Sequence, residues 1–277
     1  MKFKILGPVE ISAGSERLDL GGTRQQIVVA MLLLHANRVV TMDRLLEAIY
    51  GEDPPPTARS QAQISISWLR RVFAARSTDP IILTREHGYV INVDIAGLDS
   101  RQFEELVASA RTSRDAGRLD QAVACYRDAL RLWRGPALDG IDSQLIRVTA
   151  SRLDEQRIAT NEVRLTLELE LGRHHELVGE LTELVQEHPL RERLRGQLML
   201  ALYRCDRAAE ALEVYRQARQ TMINELGIEP SGRLQQLQRA ILNSDRSLEL
   251  PVVASVRAQP AEPIKPQPPV IRTLIGI

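Results

Sequence analysis

Aromatic side chains are scarce: three Phe, two Trp and five Tyr in 277 residues. A core must therefore be built from Leu, Ile, Val and Ala, which suits helix packing. Cysteine is scarcer still. Cys125 and Cys205 form no CxxC pair, so neither a disulfide framework nor a zinc motif is indicated, and inert, buried thiols in a reducing compartment are expected. The five histidines are scattered, and the adjacent pair His174 and His175 is expected to point to different helix faces, without the i, i+4 geometry of a metal pair. No catalytic constellation, metal site or cofactor is expected. The longest apolar run, Ile27 to Leu34, is far shorter than the roughly 20 residues of a membrane span, and the apolar start is broken at once by Gly7 and Pro8. A cytoplasmic protein without a membrane partner is expected.

Net charge is absent too, with 36 basic against 36 acidic residues. Bulk charge therefore gives no sign of a nucleic-acid partner, and any such sign must be local. One segment supplies it. Thr57 to Arg76, TARSQAQISISWLRRVFAAR, carries four arginines and no acid. At 100° per residue, Ala58, Ala62, Ile66, Leu69 and Phe73 make a narrow apolar stripe, which predicts a helix buried along that line. The opposite face carries Ser60, Gln63, Ile64, Ser67 and Arg71, flanked by Arg59 and Arg70. Major-groove reading needs this set. Gln, Ser and Arg bond base edges, an exposed aliphatic meets a thymine methyl, and flanking arginines neutralise phosphates. For an isolated helix a solvated basic face would be the better reading of the pattern, so the flanking elements decide.

Upstream, FKIL, VEIS and RLDL read as short strands, separated by Gly7-Pro8 and by a turn at Ala13-Gly14-Ser15. Thr23 is expected to cap a helix running to Leu34, Thr41 a second helix ended by Gly51 and Pro54, and Thr57 the third. Beyond Arg76, IILTREHGYVINV is a hairpin around Glu86-His87-Gly88. A sheet, three helices and a terminal hairpin make a winged helix-turn-helix. The element order, the Asp53-Pro54-Pro55-Pro56 loop, Ser67-Trp68-Leu69-Arg70-Arg71 and Gly88-Tyr89 resemble an OmpR-type winged-helix domain. The DNA-binding set read from these elements is Thr57, Arg59, Ser60, Gln63, Ile64, Ser67, Arg70 and Arg71, with Arg85 and His87 on the hairpin.

From Asp99 onward the periodicity is helical. Ala122, Tyr126 and Ala129 follow Gly117, and Ala211, Tyr215 and Ala218 follow Asp206, in the small-aromatic-small pattern of a tetratricopeptide second helix. Gly172, with Leu177, Leu181 and Leu184, stands in the same frame. The fold class is therefore mainly α with a small β component. Three units are expected: a winged helix over 1–98, tetratricopeptide-like helices over 99–243, and a proline-rich linker or disordered tail over 244–277.

Leu6-Gly7-Pro8, Leu130-Arg131-Leu132-Trp133-Arg134-Gly135-Pro136 and Glu225-Leu226-Gly227-Ile228-Glu229-Pro230-Ser231, in this order, resemble the Streptomyces antibiotic regulatory protein (SARP) activators. In that family an OmpR-type domain is followed by a bacterial transcriptional activation domain. The resemblance implies a non-enzymatic activator of secondary-metabolite genes. Two protomers would bind tandem direct repeats of double-stranded DNA and recruit RNA polymerase through its sigma factor, with the loop Gly51, Glu52, Asp53, Pro54, Pro55 and Pro56 as a polymerase contact. The other reading is an interaction scaffold, or the regulatory front of a larger nucleotide-switch ATPase. The acid-free helix favours DNA.

Overall fold

Phe3 and Ile11 stand opposite each other across the first strand pair, and both are buried. The computed structural model describes residues 1–250, in which β1 (Lys2–Lys4), β2 (Glu10–Ala13) and β3 (Glu16–Arg17) form an antiparallel sheet in sequence order. The helix α1 (Thr23–Leu34) buries every residue from Ile27 to Leu33 and so is the central helix, covered on all sides. That explains the one long apolar run. Gly22, not Thr23, occupies the N-cap of α1, and no side chain caps it. The expected cap at Thr41 is present: its hydroxyl accepts from the Arg44 amide at 3.3 Å, opening α2 (Met42–Tyr50), which ends at Gly51 with φ +71°.

After α2 come α3 (Ala58–Ala74) and the hairpin β5 (Ile82–Arg85) and β6 (Gly88–Ile91). The strand β4 (Val40–Thr41) pairs with β6 in a second sheet of order β4-β6-β5. A winged helix-turn-helix results, as the sequence predicts.

The remaining helices are α4 (Asp99–Asp115), α5 (Leu119–Arg131), α6 (Gln144–Glu170), α7 (His174–Glu187), α8 (Glu192–Arg204), α9 (Ala208–Leu226) and α10 (Gly232–Leu242). Their turns repeat one backbone device. Gly117, Gly172, Asp206 and Ser244 all adopt positive φ between 51° and 79°. The amide of the following residue then donates to a carbonyl five positions back: Arg118 to Ser113, Arg173 to Glu168, Arg207 to Leu202 and Asp245 to Ala240, at 2.9–3.0 Å. This is a left-handed helix stop used four times. The packing positions of the repeats, Ala122, Tyr126, Ala129, Leu177, Leu181, Ala211, Tyr215 and Ala218, are all buried.

Two cores form. The first runs from Phe3 to Leu167, and the second from Leu165 to Ile241, so α6 belongs to both. Near their junction Glu168, fully buried, receives Arg127 and Arg164, and Arg164 also reaches Glu180. Paired and hydrogen-bonded in this way, the charges are tolerated inside.

The first core does not divide at residue 98. Asp99 accepts the Ile5 amide at 2.8 Å and the Leu6 amide at 3.0 Å. The amides of Arg134 and Leu138 donate to the carbonyls of Leu6 and Ile5 at 2.9 and 3.0 Å. Gly7, at φ +142°, lies against Arg134, where a Cβ would stand 3.0 Å from the Arg134 Cβ. Two strings far apart in sequence, Leu6-Gly7-Pro8 and Arg134-Gly135-Pro136, are thus the two halves of one docking contact.

Of the linker or tail expected over 244–277, the structure describes 244–250. Arg246–Leu248 is a short 3₁₀ turn, and Arg204 Nε donates to the Leu248 carbonyl at 2.8 Å. The rest of that proposed tail, 251–277, lies outside the described residues.

Candidate nucleic-acid interface

The predicted stripe is the buried one. Ala58, Ala62, Ile66, Leu69 and Phe73 are each at most 2% exposed, so they fix the rotation of α3 about its axis. Arg59, Ser60, Gln63, Ile64, Ser67 and Arg71 all lie exposed on the other side. Ile64 is 64% exposed, a large aliphatic left in water in the middle of a polar face. Among the described residues, neither Arg59 nor Arg71 has a hydrogen bond or ion pair from its side chain to another residue. Ser60 Oγ donates to the Thr57 carbonyl at 2.8 Å.

Thr57 departs from the cap that the sequence suggests, and Arg70 makes contacts that the sequence does not announce. Thr57 does not cap α3: its backbone is already right-handed helical and its hydroxyl accepts from Gln61 Nε2 at 3.0 Å. Arg70, expected at the DNA surface, turns back onto the hairpin. Its Nε donates to the Ile82 carbonyl at 3.0 Å, Nη2 donates to the Thr84 hydroxyl at 2.8 Å, and the guanidinium lies 5.6 Å from the centre of the Tyr89 ring. These bonds tie the hairpin to α3, so Arg70 positions the wing. A planar fork stacked on an aromatic ring suits that task better than a flexible ammonium.

Arg85 and His87 flank the hairpin turn and are exposed. The only contact of the His87 imidazole with a charged group among the described residues is Glu86, at 3.9 Å. Residues Gly51 to Pro56 are exposed throughout and lead directly into α3. Trp68 is half-buried and packs on the loop at Gly21, where a Cβ would lie 3.0 Å from its ring.

One organising residue escapes sequence reasoning. Gln61 Oε1 receives the Tyr50 hydroxyl at 2.7 Å and also the Arg24 guanidinium, so the start of α3 is locked to α1 and α2. The partners are 11 and 37 positions away, and no local pattern announces them.

The His174 and His175 rings do not diverge as expected: their centres are 4.6 Å apart. Both sit at the very start of α7, where the preceding turn allows the side chains to converge.

The geometry is that of a winged helix-turn-helix whose third helix leaves one face open, and the comparisons with known proteins agree with that fold. Residues 15–91 match the family described as transcriptional regulatory protein, C terminal, and residues 98–242 match the bacterial transcriptional activator domain. Regulatory protein AfsR of Streptomyces griseus is 39% identical over 91% of this chain, which spans 25% of that protein. Regulatory protein DnrI of Streptomyces peucetius is 36% identical, over 92% of this chain and 99% of that protein. The solved structure of Mycobacterium tuberculosis EmbR in complex with a low affinity phosphopeptide superposes with a TM-score of 0.84 at 32% identity, covering 88% of this chain and 65% of that one. No helix among the described residues is long and apolar enough to cross a membrane. An OmpR-type winged helix joined to a bacterial transcriptional activator domain places this chain in the SARP family of transcriptional regulators.

Proposed function

We propose that this chain is a cytoplasmic, sequence-specific DNA-binding activator of secondary-metabolite genes, with α3 in the major groove and the hairpin on the adjacent backbone. The single observation carrying this is the open face of α3: hydrogen-bonding groups, one aliphatic and two guanidinium groups without a partner among the described residues, on a helix whose rotation the core fixes. Two protomers bind tandem direct repeats. The helical repeats and the Gly51–Pro56 loop contact RNA polymerase, including its sigma factor. The loop supports this by standing exposed at the start of α3. Protection of tandem repeats in a footprint on genomic DNA tests the proposal, and absence of protection even at low salt would favour a protein scaffold instead.

Arg71 and Arg59 separate the two kinds of contact. Arg71 lies about 180° from the centre of the buried stripe and Arg59 about 60° from it, at 100° per residue. Arg71→Ala is expected to cost about 1–3 kcal/mol on the operator alone, the value of a good bidentate base contact. Arg59→Ala should weaken operator and random DNA alike. Titrations on both DNAs measure the difference, and equal losses for Arg71→Ala would put that side chain on phosphate.

Ile64 makes a sharper test. Its exposure is unfavourable in water but suits contact with a thymine methyl. Ile64→Ala is expected to relax preference at one base pair, and uracil in place of the matching thymine should reproduce much of the loss. Equal wild-type binding to thymine and uracil at every position would exclude methyl reading.

A further inference from the structure

Three side chains at the end of the second core carry no role in DNA binding. His174 and His175 open α7, and Cys205 ends α8. The left-handed residue Gly172 stands two positions before His174, and the left-handed residue Asp206 immediately follows the cysteine. Because α7 and α8 run antiparallel in contact, the start of one meets the end of the other. One ligating atom from each of the three residues falls within 4.8 Å of the other two.

His174 supplies the second, independent observation. Its Nδ1 is buried and, among the described residues, has no hydrogen-bond partner. A buried ring nitrogen left bare is unfavourable, and it is the atom through which a neutral imidazole binds a metal.

We propose that His174, His175 and Cys205 form a site for one borderline-soft divalent cation of the zinc class. Two imidazoles and a thiolate match that class, whereas calcium and magnesium need oxygen ligands. Cys205 loses its proton as the metal binds, and the proton leaves to solvent. At zinc–ligand bond lengths in a tetrahedron, neighbouring ligand atoms stand about 3.5 Å apart. The three atoms therefore draw together by at most about 1.3 Å, which side-chain torsions supply. His175 is exposed, so the fourth position opens to solvent. Bound there, the cation clips α7 to α8 beside the last described residues. Leu250 lies there against Gly172, its Cδ1 3.0 Å from where a Cβ would stand.

The test is a titration of the full, untagged, metal-free chain with Co(II), read by absorbance. One equivalent should give a thiolate-to-cobalt charge-transfer band and the intense visible absorption of a tetrahedral site, and Zn(II) should displace it. Cys205→Ser should abolish the charge-transfer band. His175→Ala, at an exposed position that leaves the fold intact, should weaken Co(II) binding by at least about tenfold, since losing even an outer partner of a ligand costs that much. Zn(II) should raise the melting temperature of the wild type but not of a variant lacking all three ligands. No tetrahedral spectrum, or a spectrum unchanged in both single variants, overturns the site.

Discussion

Asp99→Ala is expected to lower the unfolding free energy by about 3–5 kcal/mol, the range for breaking a buried charge interaction from one side. The carboxylate accepts the Ile5 amide on both oxygens, at 2.8 and 3.0 Å, and the Leu6 amide at 3.0 Å, with Arg134 at 3.6 Å. Ile5 and Leu6 are fully buried, so alanine leaves two amides with neither protein nor water to bond. Asp99→Asn keeps one acceptor oxygen and should recover part of the loss. Chemical denaturation measures both, and a loss under about 1 kcal/mol for alanine would mean that water replaces the carboxylate.

Asp99 also has a pH signature. Burial pushes its carboxyl above the usual range, against the pull of the Ile5 and Leu6 amides and Arg134. The folded chain then holds the proton more tightly than the unfolded chain does. Stability from this group is fullest below the ordinary carboxylate range and declines as pH rises through the raised value. Asp99→Asn should remove that slope.

Gly88→Ala is the second large effect: loss of operator binding together with a fall in stability at the upper end of the roughly 1–3 kcal/mol typical of overpacking. A Cβ on Gly88 would fall inside contact distance of the Val40 carbonyl oxygen and 2.8 Å from Thr41 Cα. Both are backbone atoms, which cannot rotate aside. The β4–β6 pairing must open, and with it the register that holds Thr84 opposite Tyr89 beneath Arg70. The hairpin then loses its fixed orientation to α3. Gly179→Ala in α7 is the contrast, since a Cβ there meets nothing within 4 Å and alanine should stabilise the exposed helix by about 1 kcal/mol. Melting curves and operator titrations on the two variants separate a glycine demanded by space from one that is merely tolerated. Undiminished operator binding by Gly88→Ala would show that the wing is dispensable.

Features repeating within a few residues were legible in the sequence. The α3 stripe, the Thr41 cap, the Glu86-His87 hairpin and the small-aromatic-small positions each follow from local spacing, and the structure carries all of them. Features joining distant residues were not. Arg70 reads as a free basic residue until the hairpin carbonyl of Ile82 is beside it, 12 positions on. Asp99 reads as the first residue of a helix, yet its partners lie 93 and 94 positions away. A boundary at 98 follows from composition and periodicity, while the hydrogen bonds crossing it are set by folding. An isolated fragment 1–98 lacks Asp99, Arg134 and Leu138, so it should unfold at lower denaturant than the full chain. Its DNA binding, if retained, would come from a less stable domain.

The helix α6 has a mechanical consequence. Its 27 residues make a rod of about 40 Å without a loop. One part packs against α1 and α2, and α1 in turn lies against α3; another part packs against α8. A continuous helix resists bending far better than a chain of short elements joined by turns. Torque applied by anything that grips the α8 end is therefore carried along one stiff member as far as α1 and α2, and passes to α3 across the α1–α3 packing.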